Sequence, residues 1–296
     1  MSTTAGPALV DAVAADVDRL CTAEPDVRQD LPDSVHKMRV ATRRLRSVLK
    51  SYRRVLRRAP VTEITDELRW LAGLLGVARD AEVRAERFTE LLAATGAPRE
   101  QTVPMDERPT HHQGFAQRLI AEERDTYAGA HRAVVTAFGD HRYASLIRGL
   151  QDLLTDPPLK DSRAGEPAEP VFTKVLRRDL RKLRHLVHAE HGLSGDERIE
   201  RLHDIRKAAK RLRYSAEAAT AVLGKPAEDL GKKAKHLQGV LGDHRDAVEA
   251  LNTIRTHAVD ADYTYQHLCD AEAAAAAQAL DQYPDAVEFV HHHPLG

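Results

Sequence analysis

A basic segment near the start of the chain recurs at an offset of 167 residues. Residues 35–46 (VHKMRVATRRLR) and 202–213 (LHDIRKAAKRLR) are identical at six of twelve positions. A second pair follows in the same order, LAGLLGVARD at 71–80 and LQGVLGDHRD at 237–246, with six of ten positions identical. Two matched blocks at nearly the same separation predict an internal duplication. Each copy is long enough for a bundle of several helices, and the period is too long for a solenoid.

Composition and periodicity predict an all-α fold. Aromatic residues make up 4% of the 296 residues, Ala, Leu, Arg and Glu dominate, and apolar residues recur at helical spacing. The sequence has no apolar run long enough to span a membrane. The N-terminal stretch lacks the basic region of a signal peptide, and Cys21 and Cys269 are far apart, as is typical of a reducing compartment. We therefore expect a soluble, cytoplasmic protein.

Prolines and helix-capping residues divide the chain. We predict a first helical bundle at residues 8–156, a linker at 157–169, a second bundle at 170–282 and a polar tail at 283–296. The helix with the first basic segment is expected to start after a cap at Asp33 or Ser34 and to run to about Arg58. The next helix is expected to begin near Thr62 and to end before a loop at 96–112.

Charge in this sequence is neutral only on average, with 44 Lys+Arg against 45 Asp+Glu. Residues 36–58 hold ten Lys/Arg and no acid, and residues 174–213 hold thirteen Lys/Arg and six acids. Together these segments carry a net charge of +17, and the rest of the chain carries −18. Such segregation creates a local field that the overall charge conceals.

The basic residues of the repeated segment fall on one side of a helical wheel at about 100° per residue. Met38, Ala41 and Leu45 form an apolar stripe on the opposite side, and Ile205, Ala208 and Leu212 repeat it. The basic side carries His36, Arg39, Arg43, Arg46, Lys50 and Arg57 in the first copy and His203, Arg206, Lys210 and Arg213 in the second. Arg177, Arg181 and Arg184 form a third row at i, i+4 and i+7.

These rows predict a site for an extended polyanion. Stacked like charges destabilise a helix by a few tenths of a kcal/mol per pair unless something neutralises them. Arginine outnumbers lysine in the rows, and its planar guanidinium binds phosphate oxygens in a bidentate manner. The sequence contains no glycine-rich loop motif for a single nucleotide.

The repeated segments, HKMRVATRRLR at 36–46 and LLGVARD at 74–80 with their second copies, resemble the CHAD domain (conserved histidine α-helical domain) over about residues 8–282. The resemblance implies two similar helical bundles around a pseudo-two-fold axis, a basic cleft where they meet, and binding of inorganic polyphosphate. It implies ligand contacts from His36, Arg39, Arg43, Arg44 and Arg46 in the first half and from His203, Arg206, Lys210, Arg211 and Arg213 in the second. Lys50, Lys207, Arg177, Arg181 and Arg184 complete the predicted polyphosphate site. The neutral overall charge departs from the strongly basic character of typical members.

Several of these residues have a second interpretation. His36 and His203 are either phosphate donors or helix-capping residues. Arg44 and Arg211 lie off the basic row and are equally suited to pairing with an acid on a neighbouring helix. The paired glycines at 73, 76, 239 and 242 have two interpretations, close approach of helices or contact between the backbone and a ligand, and the first is preferred. Arg79–Asp80 and Arg245–Asp246 are interpreted as structural.

The leading function is non-catalytic binding of inorganic polyphosphate, with no cofactor. No nucleophile–base pair is evident, and His185, His188 and His191 do not complete a metal-ligand set, so neither a catalytic nor a metal site is predicted. One alternative is binding to a nucleic-acid backbone, which the scarcity of aromatic residues disfavours. Another is a scaffold that tethers partner proteins, such as polyphosphate-metabolising enzymes, to polyphosphate granules.

Overall fold

The computed structural model describes residues 3–94, 111–257 and 263–292, and it is all-helical, as predicted. Two isolated antiparallel bridges, Thr4 with Pro167 and Leu56 with Leu159, are the only extended pairings within those residues. The helices are α1 (Ala5–Thr22), α2 (Glu24–Arg28), α3 (Ser34–Ser51), α4 (Arg58–Ala94), α5 (His111–Ala137), α6 (His141–Thr155), α7 (Asp161–Ala164), α8 (Ala168–His188), α9 (Gly195–Leu223), α10 (Lys225–His257), α11 (Tyr263–Asp281), α12 (Tyr283–Val287) and α13 (Phe289–His292). The predicted loop at 96–112 lies mostly outside the described residues.

The two basic helices, α3 and α9, lie at the centre and contact each other. Their predicted apolar stripes are buried: Met38 and Leu45 on α3 and Ile205 and Leu212 on α9 are fully inaccessible to solvent. Helices α1 and α8 complete this central layer, because α1 contacts α3, α9 and α8, and α8 packs along α9. One continuous hydrophobic core therefore runs through both halves of the sequence.

The outer helices of the two halves meet again at their far ends. There Phe88 and Phe115 share a second apolar cluster with Ile254 and Leu268. Beside it, the guanidinium of Arg87 forms a bidentate ion pair with Glu272, whose side chain is fully buried. The internal duplication stays a prediction.

Helix α3 ends seven residues earlier than predicted. The chain leaves the helix at Tyr52 because the backbone of residues 55–57 pairs with the connecting segment: Arg57 N–H donates to Pro158 O at 2.7 Å and Lys160 N–H to Val55 O at 2.9 Å. Pro60 then lies in the first turn of α4, where its missing N–H has no cost. Arg57 is therefore not on the same helix as Arg43, contrary to the helical-wheel prediction.

The prediction of a polar tail from residue 283 was wrong for residues 283–292. Helices α12 and α13 bury Tyr283, Val287, Phe289 and Val290 in the main core, against α10 and α8. The prediction rested on the polar composition around His291 and His292 and did not take account of the apolar residues between them and residue 283. Residues 293–296 lie outside the described part of the chain.

Candidate anion-binding cleft

A cleft of about 1490 Å³ opens over the junction of α3, α4, α8 and α9. We call it the central cleft. Fourteen Lys/Arg residues and three Asp residues line it. The cations are Arg43, Arg46, Lys50, Arg53, Arg54, Arg57, Arg58, Arg69, Lys160, Arg163, Lys182, Lys207, Lys210 and Arg211. Six of the predicted ligands are among them: Arg43, Arg46, Lys50, Lys207, Lys210 and Arg211.

All three carboxylates of the central cleft are already held in ion pairs. Asp66 pairs with Arg69 at 2.9 Å, Asp204 with Lys207 at 2.6 Å, and Asp179 with Arg211 at 3.1 Å. Arg163 pairs with Glu166 at 2.7 Å. Within the described residues, the ten remaining cations have no carboxylate partner: Arg43, Arg46, Lys50, Arg53, Arg54, Arg57, Arg58, Lys160, Lys182 and Lys210.

Cationic crowding is strongest where α3 crosses α9. Burial, together with the charges of Arg43, Arg206 and Arg39, lowers the pKa of Lys210 to about 7. Burial and the neighbouring Arg211 and other cations also lower the pKa of Lys50. Burial and the surrounding cations therefore make protonation of these two amines less favourable than in water.

Arg39 and Arg206 lie beyond the cleft, on the faces of α3 and α9 that meet α4 and α10. Arg39 forms an ion pair with Asp80 at 3.1 Å. A Cβ added to Gly76 would lie 3.8 Å from Nη2 of Arg39, and one added to Gly242 3.5 Å from Nε of Arg206, whereas those on Gly73 and Gly239 would meet nothing within 4 Å. The guanidinium of Arg39 therefore lies over Gly76, and that of Arg206 lies over Gly242, where the charge of Asp246 acts on it.

The two predicted histidine ligands lie beside arginines of the second motif. The guanidinium of Arg245 donates to Nδ1 of His203, and the charge of Arg79 acts on His36. Burial and Arg245 lower the pKa of His203 to about 4, and burial and Arg79 lower that of His36. The imidazole of His203 is therefore neutral at neutral pH, where it acts as an acceptor for Arg245 and not as a charged phosphate donor.

Arg44 and Arg213 face acids rather than the cleft. Arg44 forms ion pairs with Asp16 and Glu217, both at 2.7 Å, and Arg213 pairs with Glu217 at 2.7 Å. Arg211 makes the corresponding contact with Asp179 on α8 and still lines the cleft. The alternative interpretation of Arg44 and Arg211, pairing with an acid of a neighbouring helix, describes their contacts in the structure.

The third basic row is divided. Arg177 and Arg181 line a separate groove on α8, whereas Nε of Arg184 donates to the carbonyl oxygen of Val290 at 2.8 Å and faces α13. The predicted ligands are therefore not one row but a central group in the cleft and several residues around it.

Eight of the fourteen cleft cations were not among the predicted ligands, and most of them lie in two segments of the chain. Arg53, Arg54 and Arg58 belong to the acid-free segment at 36–58, so the charge of that segment was a signal that could have identified them. Lys160 and Arg163 fall in the segment interpreted as a linker and reach the cleft because that segment pairs with residues 55–57. No local pattern in the sequence indicates that contact.

Comparison with known proteins identifies the family. The chain matches the family model described as the CHAD domain over residues 11–255. The chain belongs to the CHAD family. The CHAD chain is 34% identical over 279 residues to the uncharacterized proteins MT2285 and Rv2226 of two Mycobacterium tuberculosis strains, CDC 1551 / Oshkosh and ATCC 25618 / H37Rv. The match covers 92% of this chain and 50% of each relative, so the chain spans about half their length.

Two solved structures share the CHAD fold described above. PptA from Streptomyces chartreusis superposes with a TM-score of 0.74 at 20% identity, covering 97% of this chain and 100% of that one. The CHAD domain from the plant Ricinus communis superposes with a TM-score of 0.64 at 23% identity, covering 98% and 92% of the two chains. At these identities the likeness concerns the fold.

The described residues contain neither a helix suited to span a membrane nor a cluster suited to bind a metal. Within residues 3–94, 111–257 and 263–292, no helix has the length and apolar character needed to cross a bilayer. In the same residues, no group of three or more His, Cys, Asp and Glu side chains is arranged as a metal-binding set.

Proposed function

We propose that this CHAD protein binds inorganic polyphosphate in the central cleft without catalysing its breakdown. The main support for this proposal is that ten cations of the cleft have no carboxylate partner within the described chain. An extended polyanion would neutralise these charges and release its counterions, which favours binding. The CHAD family is associated with polyphosphate, which agrees with this choice of anion.

Two features support binding without hydrolysis. Each of the three carboxylates of the cleft lies in an ion pair, with Arg69, Lys207 or Arg211, and the excess of positive charge around them disfavours a bound divalent cation. The cleft cations themselves are suited to holding phosphate oxygens, because arginine stays protonated and donates in a bidentate geometry.

A nucleic-acid backbone is the alternative polyanionic ligand for the cleft. Proteins that hold single strands combine cations with aromatic side chains on which bases stack. Tyr214 is the one aromatic residue that lines the cleft in the described part of the chain, and it is 1% exposed. Among the residues that the structure describes, the cleft therefore offers contacts for phosphates and no exposed aromatic ring on which bases could stack.

Affinity for long-chain polyphosphate should fall as the pH rises from about 6.5 to about 8.5, by roughly fivefold to tenfold. Burial and the surrounding arginines hold the pKa of Lys210 at about 7 in the free protein. A bound phosphate favours the protonated amine and raises its pKa, so binding above this pH takes up a proton and becomes weaker as protons become scarce. Calorimetric titrations at several pH values, in two buffers of different ionisation enthalpy, measure both the affinity and the proton uptake.

The matched control for this pH experiment is Lys210→Arg. The guanidinium stays charged throughout the range, so the variant should lose most of the pH dependence while keeping its affinity at low pH. The pKa of His203, at about 4, lies below the range, and this residue does not contribute. Equal pH dependence in the variant and the parent protein would show that Lys210 is not at the binding site.

A further inference from the structure

A second cavity, of about 850 Å³, lies along the outer side of α8. We call it the α8 groove. Its basic residues on the helix are Lys174, Arg177, Arg178 and Arg181. Their spacing at i, i+3, i+4 and i+7 places them on one face, over about 10 Å of helix. The groove therefore presents a row of cations about two turns long.

Three of these cations are available to a ligand. Lys174, Arg177 and Arg181 are exposed, and none has a carboxylate partner among the described residues. The groove also contains Glu166 and Glu169. Glu166 is held by Arg163 at 2.7 Å, which leaves Glu169 as the unpaired acid of the lining. The balance of unpaired charge in the groove is positive.

The α8 groove adjoins the central cleft. Arg54 and Arg163 line both cavities. Between the two cavities, the buried carboxylate of Asp179 pairs with Arg178 on the groove side at 3.0 Å and with Arg211 on the cleft side at 3.1 Å. Arg178 also donates to the carbonyl oxygen of Ser51 at 2.9 Å. One buried acid thus holds an arginine of each cavity, and the two cavities meet at Asp179.

We infer that a long polyphosphate chain leaves the central cleft past Arg54 and Arg163 and continues into the α8 groove. The α8 groove then acts as a second subsite that only chains longer than the cleft can reach. This gives the protein a preference for long chains, since each additional phosphate contact releases further counterions. The inference rests on the proposed function, because the cleft must hold polyphosphate for a chain to extend from it.

Charge reversal in the groove, Arg177→Glu with Arg181→Glu, tests the inference with two ligands of different length. The affinity of the double variant for long-chain polyphosphate should fall at least about tenfold, while its affinity for tripolyphosphate stays within about twofold of the parent protein. Arg132→Glu with Arg148→Glu is the matched control. It removes the same charge from exposed positions outside both cavities, and it should leave both affinities nearly unchanged.

The outcomes separate the subsite from the proposed function. If the parent protein binds both ligands and the groove variant binds long chains as tightly as the parent does, the subsite is wrong and the cleft stands. If the groove variant and the control lose affinity equally, the effect is one of net charge and the subsite is also wrong. If the parent protein binds neither ligand, the proposed function fails and the subsite fails with it.

Discussion

Reversing the charge of Arg43 and Lys210 together should weaken polyphosphate binding by at least about 100-fold and should make the salt dependence shallower by at least about two units of slope. Both residues line the central cleft where α3 crosses α9, and neither has a carboxylate partner within the described residues. The new glutamates would lie among the remaining arginines and would pair with them, so the variant removes two phosphate contacts and neutralises others. Affinity measured at several salt concentrations gives both quantities.

The control for this experiment is again Arg132→Glu with Arg148→Glu, which changes the net charge by the same amount at exposed positions outside the cleft. We expect a loss of less than about threefold, because exposed charges beyond a Debye length of about 8 Å are largely screened at physiological salt. The cleft variant should unfold at no lower a denaturant concentration than the parent, since it relieves repulsion between like charges. Equal losses in the two variants would contradict a localised site.

Replacing Asp179 with alanine should lower the free energy of unfolding by about 3–5 kcal/mol. The carboxylate is 2% exposed and accepts hydrogen bonds from the hydroxyl groups of Ser51 and Ser215 at 3.0 and 2.8 Å. It also forms the ion pairs with Arg178 and Arg211. Alanine would leave these partners of a part-buried network without their acceptor, and desolvated cations without a counter-charge are costly. Equilibrium unfolding in urea measures the loss.

Asp66→Ala provides the comparison for the Asp179 variant. Asp66 also lines the cleft and also pairs with an arginine, but the side chains of Asp66 and Arg69 are 50% and 68% exposed. An exposed pair of this kind contributes about 0–1 kcal/mol. If both variants lose the same small amount of stability, the Asp179 network does not hold the junction of the central helices together.

Much of the fold was predictable because it depends on local patterns. The apolar stripe of α3 predicted which side is buried, and the structure buries it. The exit from α3 at Tyr52 was not predictable, since it results from pairing with residues 158–160, more than a hundred positions away. The buried helices α12 and α13 were not predicted for the same kind of reason, because their apolar residues are buried only by packing against α8 and α10.

The candidate site was predictable as a charge pattern and not as a set of contacts. The acid-free run at 36–58 pointed to the cleft cations Arg43, Arg46 and Lys50. The same pattern could not tell Arg43, which has no carboxylate partner in the described chain, from Arg44, which Asp16 and Glu217 neutralise. Adjacent arginines differ by one step around the helix, and only the packing of α1 and α9 decides which of them meets an acid.

The most direct test of the account is a titration of the protein with long-chain polyphosphate and, in parallel, with single-stranded RNA at equal phosphate concentration in roughly 150 mM salt, where weak surface contacts are screened. We expect polyphosphate to bind at least about tenfold more tightly, because the described part of the cleft offers cations without carboxylate partners and no exposed aromatic ring for stacking. Equal binding of RNA would contradict this preference and would show that the cleft binds phosphate backbones in general. Binding of neither polymer would show that the protein's own acids neutralise its basic helices, and the central claim would be wrong.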